Sequence, residues 1–304
     1  MGIGTALTVG LLVITGCSSS GHSADSAKEN SIHPASDEVK IRTLPIEDYL
    51  PSSAEYVKIT KARVQLDEQC MRDFGFTGFE ALSVPQADPR DTFTADRYGI
   101  EDATEAAKYG YHPSPALVAF AKAAPDAELP DDQELVMTGL PAGQSDAAAL
   151  KAAPKSFKGV AIPAGGCIGQ STRQLTGGSD ELYPDLPQDI NGQSYLKAKE
   201  APGVRAVFAA WSTCMAGKGF TYSDPMQAND DPAFGSSRTA TAAEIATATA
   251  DVACKDSTQL VDTWFRAEAD IQASLIEDRH AELAPMKETR LTALGNASTV
   301  LAAG

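Results

Sequence analysis

From Thr241 to Pro285 the chain reads TAAEIATATADVACKDSTQLVDTWFRAEADIQASLIEDRHAELAP. Thr241 and Glu244 match the T-x-x-E capping box, in which each side chain satisfies a backbone amide that the start of a helix leaves free. No Gly or Pro follows until Pro285. The run therefore predicts one helix over 242–284, about 43 residues and near 65 Å at roughly 1.5 Å per residue. Ile245, Val252, Val261, Trp264, Phe265, Ile271 and Leu275 are its expected buried side, and its outer face is expected to be acidic. An element of that length makes the protein mainly α.

Working outward, Val204, Val207, Phe208, Trp211, Cys214 and Met215 form an apolar stripe at helical spacing after Pro202, closed by Gly217 and Gly219. Trp211 and Trp264 read as core anchors. Ser52 and Glu55 form a second capping box, and a helix is expected from there to about Phe74. Ile59, Ala62, Leu66, Cys70 and Phe74 share one of its faces, which turns Cys70 inward, and Gly75 ends it. Between Thr77 and Pro163 the pattern is broken by Pro, Gly and Asp. Two short helices are expected there, Asp102–Tyr109 and Ser114–Ala123, with an acidic stretch over 126–134. Leu135–Thr138 and Val160–Ile162 read as apolar anchors of loops rather than strands. A short helix opens at Cys167, runs through Leu175 and stops at Gly177-Gly178. The expectation is a single helical domain over 45–284 with two disulfides, an irregular middle region and one long C-terminal helix, followed by a tail over 285–304.

The composition narrows the function. At 304 residues and 43% hydrophobic content the chain has ample material for a core. Lys+Arg 25 against Asp+Glu 41 gives a net charge of −16, which opposes binding to phosphate backbones, and no basic patch stands out, so nucleic acid is excluded as a partner. The one continuous apolar run, about 11 residues from Thr5, is too short to span a bilayer as a mature helix.

That run carries the address. Leu11-Leu12-Val13-Ile14 is followed by small residues, by Cys17 and by Ser18-Ser19-Ser20-Gly21, the order of a secretory signal over 1–16. Met1 to Gly16 holds no Lys or Arg, a departure that a start site assigned too far downstream would account for. Ile14-Thr15-Gly16-Cys17 resembles the lipobox of bacterial lipoproteins. The resemblance implies that Cys17 is lipidated, becomes the mature N-terminus and holds the protein on the outer face of the cytoplasmic membrane. Residues 17–44 then read as the lipidated cysteine and a solvated tether of about 30 Å mean reach. His22 and His33 lie in that tether.

Four cysteines remain, Cys70, Cys167, Cys214 and Cys254, an even set in an exported chain. None stands in a CxxC or beside a histidine, so disulfides are favoured over a zinc site. Cys70-Met71-Arg72-Asp73-Phe74-Gly75-Phe76 and Cys214-Met215-Ala216-Gly217-Lys218-Gly219-Phe220 share C-M-x-x-x-G-F. Each copy is followed by one further cysteine, and two units closing one bridge each would give Cys70–Cys167 and Cys214–Cys254.

On these residues the chain resembles a family of exported actinobacterial lipoproteins and secreted proteins of uncharacterised function. Cys214-Met215 through Gly219-Phe220-Thr221-Tyr222-Ser223-Asp224-Pro225 is similar to that family's C-M-x-x-x-G-x-x-[FY]-x-D-P element. Arg97-Tyr98-Gly99-Ile100 and Tyr109-Gly110-Tyr111-His112 are similar to elements of its larger members. The first unit departs from the pattern, with Phe79 near the aromatic position and Asp-Pro displaced to Asp88-Pro89. The resemblance covers about residues 45–284 and implies a scaffold and an address; it supplies no catalytic residue.

The inventory of chemistry is short. The structured part has only His112 and His280, with no G-x-S-x-G, H-E-x-x-H, EF-hand or Walker loop, and Asp224 to Asp231 lacks calcium-loop spacing. No cofactor or metal is called for. The expected function is a non-catalytic binding or accessory module of the cell envelope, its partners being the membrane through the lipid anchor and an envelope protein or wall component. The alternatives are a solute-binding lipoprotein of a transporter, which needs a two-lobed sheet scaffold, and a carboxylate-dependent envelope hydrolase.

Overall fold

Ser52 Oγ accepts the N–H of Glu55 at 3.3 Å, the Glu55 carboxylate accepts the N–H of Ser52 at 3.0 Å, and this box opens α1 (Ser53–Asp73). A 3-10 turn, Pro45–Tyr49, precedes it. The computed structural model describes residues 42–77, 84–88, 90, 93–121, 128–235 and 237–303. The expectations for the signal, Cys17, His22, His33 and nearly all of the tether, and for Phe79, Pro89, Ala123 and Asp126, lie outside the described residues. All the described residues belong to one compact unit.

After α1 come α2 (Ala103–Tyr109), α3 (Pro115–Ala121), α4 (Asp131–Thr138), α5 (Ala147–Ala152), the paired strands β1 (Ser156–Phe157) and β2 (Val160–Ala161), and α6 (Gly166–Thr176). Then follow α7 (Asp185–Glu200), α8 (Pro202–Gly217), α9 (Pro225–Asn229), α10 (Ala242–Thr258), α11 (Leu260–Asp278) and α12 (His280–Ala303). The fold is mainly helical, as the patterning predicts. α1 packs on α12 and α6, and α6 on α4; α11 packs on α7 and α8, and α10 on α8 and α2. The 3-10 turn touches α7, α11 and α12, tying the two groups together.

Burial follows the stripes. Trp211 and Trp264 are fully buried with Tyr98, Val204, Met215 and Leu260. Trp264 sits among Tyr98, Tyr195 and Phe208, with ring centroids 5.2, 5.1 and 5.0 Å away, distances at which edge and tilted aromatic pairs attract beyond simple burial. Cys70, Met71, Phe74, Val136, Met137 and Cys167 make a second core between α1, α4 and α6.

Both disulfides are formed as the duplicated unit predicts, Cys70–Cys167 and Cys214–Cys254, each with Cα atoms 5.7 Å apart. That spacing suits an unforced bridge.

Three expectations are corrected. The single helix over 242–284 is broken at Gln259, which takes a left-handed φ of 54° between α10 and α11. The stripe itself changes side there: nine residues at about 100° each put Val252 and Val261 on opposite sides of a straight helix, and across the break Val252 packs with Ala106 of α2 while Val261 joins the core around Trp264. The tail expected over 285–304 is instead part of α12, which runs through Pro285 and buries Leu283, Ala293 and Ala297. Pro285, the sixth residue of α12, forgoes the bond its N–H would have given to the Ala281 carbonyl, and α12 is retained by packing on α1 and α6. Finally, Leu135–Thr138 belongs to a helix, α4, and Val160-Ala161 is a strand paired with Ser156-Phe157. The run from Asp131 presents Val136 and Met137 to the disulfide core, which a loop anchor would also do; the helix satisfies its backbone as well.

Candidate functional site

The two sequence elements Arg97–Ile100 and Tyr109–His112 lie against α10 and α11, fastened by carboxylates from the helices' buried side. Glu268, fully buried, receives the Arg97 guanidinium, with Nε 3.0 and 3.1 Å from its two oxygens, the Tyr98 hydroxyl at 2.9 Å and Ser194 Oγ at 3.0 Å. Arg97 Nη2 also donates to the Asn191 carbonyl at 2.7 Å, so the same cation reaches α7. Gln272 donates to Ser194 Oγ at 2.9 Å and accepts the N–H of Ile46 at 3.0 Å.

One helix back, Asp251 accepts from Trp211 Nε1 at 2.9 Å, Tyr111 OH at 3.2 Å and Lys255 Nζ at 2.9 Å. Lys255 Nζ continues to the Ile100 carbonyl at 2.9 Å. Burial holds the Asp251 carboxyl above the usual carboxylate range, opposed by Lys255 and the donors around it. The Tyr98 and Tyr111 hydroxyls are both pushed up by burial and by the carboxylates they bond.

Glu244 does more than close its capping box. It accepts the backbone N–H groups of Tyr111 at 2.9 Å and His112 at 3.2 Å, and its Oε1 lies 2.6 Å from His112 Nδ1. His112 Nε2 is 2.9 Å from the Ser237 carbonyl. With an acceptor at each ring nitrogen the imidazolium is favoured, and its pKa is raised, chiefly by the Glu244 bond. The glycines of the two elements follow from this closeness. A Cβ on Gly99 would stand 2.8 Å from Lys255 Nζ, and one on Gly110 2.7 Å from Glu244 Oε1, both at positive φ. Arg42 extends the array, 2.8 Å from Glu101 and 2.9 Å from Asp262.

Sequence reasoning placed the acids of this helical run on an outer face and did not nominate Asp251, Lys255, Glu268 or Gln272. Glu244, Ala248, Asp251 and Lys255 are in fact one buried helical face. Their i, i+4, i+7, i+11 spacing was the signal, with alanine among them leaving room for an incoming segment.

The duplicated C-M-x-x-x-G-F is a helix stop that carries a disulfide. In the first unit the Phe76 N–H bonds the Met71 carbonyl and Gly75 bonds Arg72; in the second, Phe220 bonds Met215 and Gly219 bonds Ala216. This is the Schellman pair, with glycine at the positive-φ position and an apolar contact between phenylalanine and methionine. The D-P of the longer element starts α9, Pro225 in its first turn and Asp224 capping the N–H of Met226 at 2.8 Å. Asp231 accepts the Tyr222 hydroxyl at 2.7 Å.

A cleft of about 310 Å³ is lined by Pro51, Ser52, Ser53, Tyr56, Asp88, Phe93 and Gln188. Asp88, its carboxylate, is paired with Arg90 at 2.8 Å. Among the described residues no group of three or more His, Cys, Asp and Glu is arranged to hold a metal ion, and no helix is long and apolar enough to cross a membrane. His280 is exposed at the start of α12. Compared with protein-family models, curated proteins and solved structures, the chain matches none.

Proposed function

We propose that the chain is a lipoprotein held through Cys17 on the outer face of the cytoplasmic membrane, whose helical domain serves the envelope as a non-catalytic binding or accessory module. One observation carries this reading. The two bridges take up Cys70, Cys167, Cys214 and Cys254, and the fifth cysteine is the one that follows Ile14-Thr15-Gly16. Disulfides persist in oxidising compartments, and the remaining thiol stands where a diacylglyceryl group would be attached. Membership of the exported actinobacterial family is part of the same proposal.

The binding role draws support from the way the buried charge is used. Glu268, Asp251 and Glu244 each face a cation or imidazole and fasten one segment to the helices, which makes the scaffold a rigid presenter of its surface. A two-lobed solute-binding architecture finds no support in β1 and β2, the only strands among the described residues.

The test is detergent-phase partitioning of the full chain and of Cys17→Ala from intact cells. Wild type should enter the detergent phase and the variant the aqueous phase, because two acyl chains give stable anchoring. Equal partitioning of both would reject the anchor. Cross-linking on intact cells should then recover a specific envelope protein or wall fragment; hydrolysis of a wall polymer by purified protein, abolished by changing a carboxylate, would replace the binding role with an enzyme.

A further inference from the structure

Residues 147–179 hold Lys151, Lys155, Lys158 and Arg173 and no aspartate or glutamate, in a chain with 41 acidic residues. Arg173 is paired with Asp180 at 2.8 Å. The three lysines are not: among the described residues none of them forms an ion pair with a carboxylate. Lys151 is in the last turn of α5, Lys155 at the entrance to the β-hairpin and Lys158 at its tip. All three are exposed, as are Ser156, Gly159 and Ala161 between and beside them. Two exposed large apolar side chains belong to the same stretch, Leu150 at 44% and Val160 at 46% exposure.

The hairpin is firmly built. Phe157 pairs with Val160 across the ladder, and Lys158 and Gly159 between them have φ of 48° and 83°. Positive φ at both positions is the requirement of a type I′ turn, whose first position ordinarily falls to Asn, Asp or Gly. A lysine there is held against its backbone preference. Below the turn Phe157 stacks on Phe76 with centroids 5.3 Å apart, and both pack on the core around Cys70–Cys167. The Lys158 ammonium lies 4.9 Å from the Phe157 ring. As cross-strand partners Phe157 and Val160 share one face of the ladder, the Lys158 ammonium lies over the Phe157 and Phe76 rings, and the Lys155 ammonium donates to the Leu150 carbonyl at 2.8 Å. The cations and the two apolar side chains thus lie along one exposed stretch, from the end of α5 to the hairpin tip, anchored at Phe157 beside a disulfide.

We propose that this exposed basic stretch, Lys151, Lys155 and Lys158 with Leu150 and Val160, docks on the anionic phospholipid headgroups of a bilayer. Charge complementarity selects the partner: three exposed lysines in a stretch of 33 residues without an acid are what an anionic membrane attracts on so acidic a chain. The exposed leucine and valine select lipid over a soluble polyanion, because side chains beside the cations can enter the boundary between headgroups and acyl chains. The inference deepens the anchored reading by naming the stretch that meets the membrane, and its test is independent of the acyl group.

The experiment is cosedimentation of full-length Cys17→Ala, which carries no lipid, with vesicles of pure phosphatidylcholine or of phosphatidylcholine and phosphatidylglycerol in equal parts. Binding is expected to the mixed vesicles alone and to fall as salt rises. Adding Lys151→Glu, Lys155→Glu and Lys158→Glu should weaken it at least about a hundredfold, while Lys61→Glu, Lys197→Glu and Lys218→Glu, the same change in charge elsewhere, should weaken it far less. Leu150→Ser with Val160→Ser should weaken binding without altering its salt dependence. Circular dichroism of each variant verifies the fold, and should the glutamate triple variant not fold, glutamine at the same three positions replaces it. No binding to mixed vesicles, equal binding to both kinds, equal losses for the two triple variants, or soluble polyphosphate binding that is insensitive to Leu150 and Val160 in place of vesicle binding would overturn the proposal. Failure here leaves the partitioning result of Cys17 untouched, and the reverse also holds.

Discussion

Trp211 and Trp264 are buried to the same degree yet differ in one atom's company, and replacing each by phenylalanine should separate packing from hydrogen bonding in this core. Trp211 Nε1 donates to Asp251 at 2.9 Å, whereas Trp264 Nε1 is buried without a hydrogen-bond partner. Both changes remove the same volume, and the resulting void costs about 1 kcal/mol in either place. Trp211→Phe also removes a bond to a buried carboxylate, about 1.5–3 kcal/mol, for a total loss of about 2.5–4 kcal/mol. Trp264→Phe instead removes an N–H whose desolvation is uncompensated, returning about 1–3 kcal/mol, and the ring stays among Tyr98, Tyr195 and Phe208. Its net effect should lie between about zero and a gain of about 2 kcal/mol. Urea unfolding of the oxidised full chain, followed by far-UV circular dichroism, measures both, provided the slope m is unchanged between variants. The expected difference between the two is at least about 2.5 kcal/mol. Equal losses would refute the reasoning, since they would mean that the Asp251 bond adds nothing beyond the shared void.

Asp67 is buried beside Ser171, 2.6 Å from its hydroxyl, with Arg63 at 4.0 Å, and burial pushes its pKa from 3.8 up to about 6. Between those values the folded chain binds the extra proton, so stability falls as pH rises through the window, by about 3 kcal/mol; relative to Asp67→Asn, wild type should lose that amount between about pH 4 and pH 7, and a pH-independent difference in urea midpoints would reject the assignment. Gln259→Gly should stabilise the chain by about 0.5–1 kcal/mol because Gln259 has a left-handed φ, whereas in an unbroken helix the same change would cost roughly 0.5–1 kcal/mol; the sign of the shift in melting temperature decides. Non-reducing peptide mapping should yield Cys70–Cys167 and Cys214–Cys254 peptides. Their sequence separations of 97 and 40 correspond to about 4–5 and about 4 kcal/mol in the chain-entropy model, so Cys70→Ser with Cys167→Ser should cost at least as much as Cys214→Ser with Cys254→Ser.

Local signals did well wherever a single segment decides its own state. The boxes Ser52/Glu55 and Thr241/Glu244 start helices in the structure as they do on paper, because a cap is a hydrogen bond between residues three apart. The inward turn of Cys70, the stops at Gly75 and Gly219, and the burial of both tryptophans are equally local, and the repeat of C-M-x-x-x-G-F gave the disulfide pairing.

What the sequence alone determined is therefore the helical class and the starts of α1, α2, α3, α6, α8 and α10, fixed by interactions within a few turns of chain, together with the cysteine pairing, which the repeated unit marks across separations of 97 and 40 residues; α7, with neither a capping box nor a strong stripe, was not legible. The tertiary structure decided the break at Gln259, the helix through Pro285 and the roles of Glu244, Asp251, Lys255 and Glu268. Each of these turns on a partner far away in sequence: Arg97 is 171 residues from Glu268, Tyr111 is 140 from Asp251 and His112 is 132 from Glu244. An acidic residue on a helix reads as solvated until its counter-ion is known, and burial of a charge is tolerable only when that counter-ion arrives. Folding supplies it, through the segment that carries Arg97, Tyr98, Tyr111 and His112.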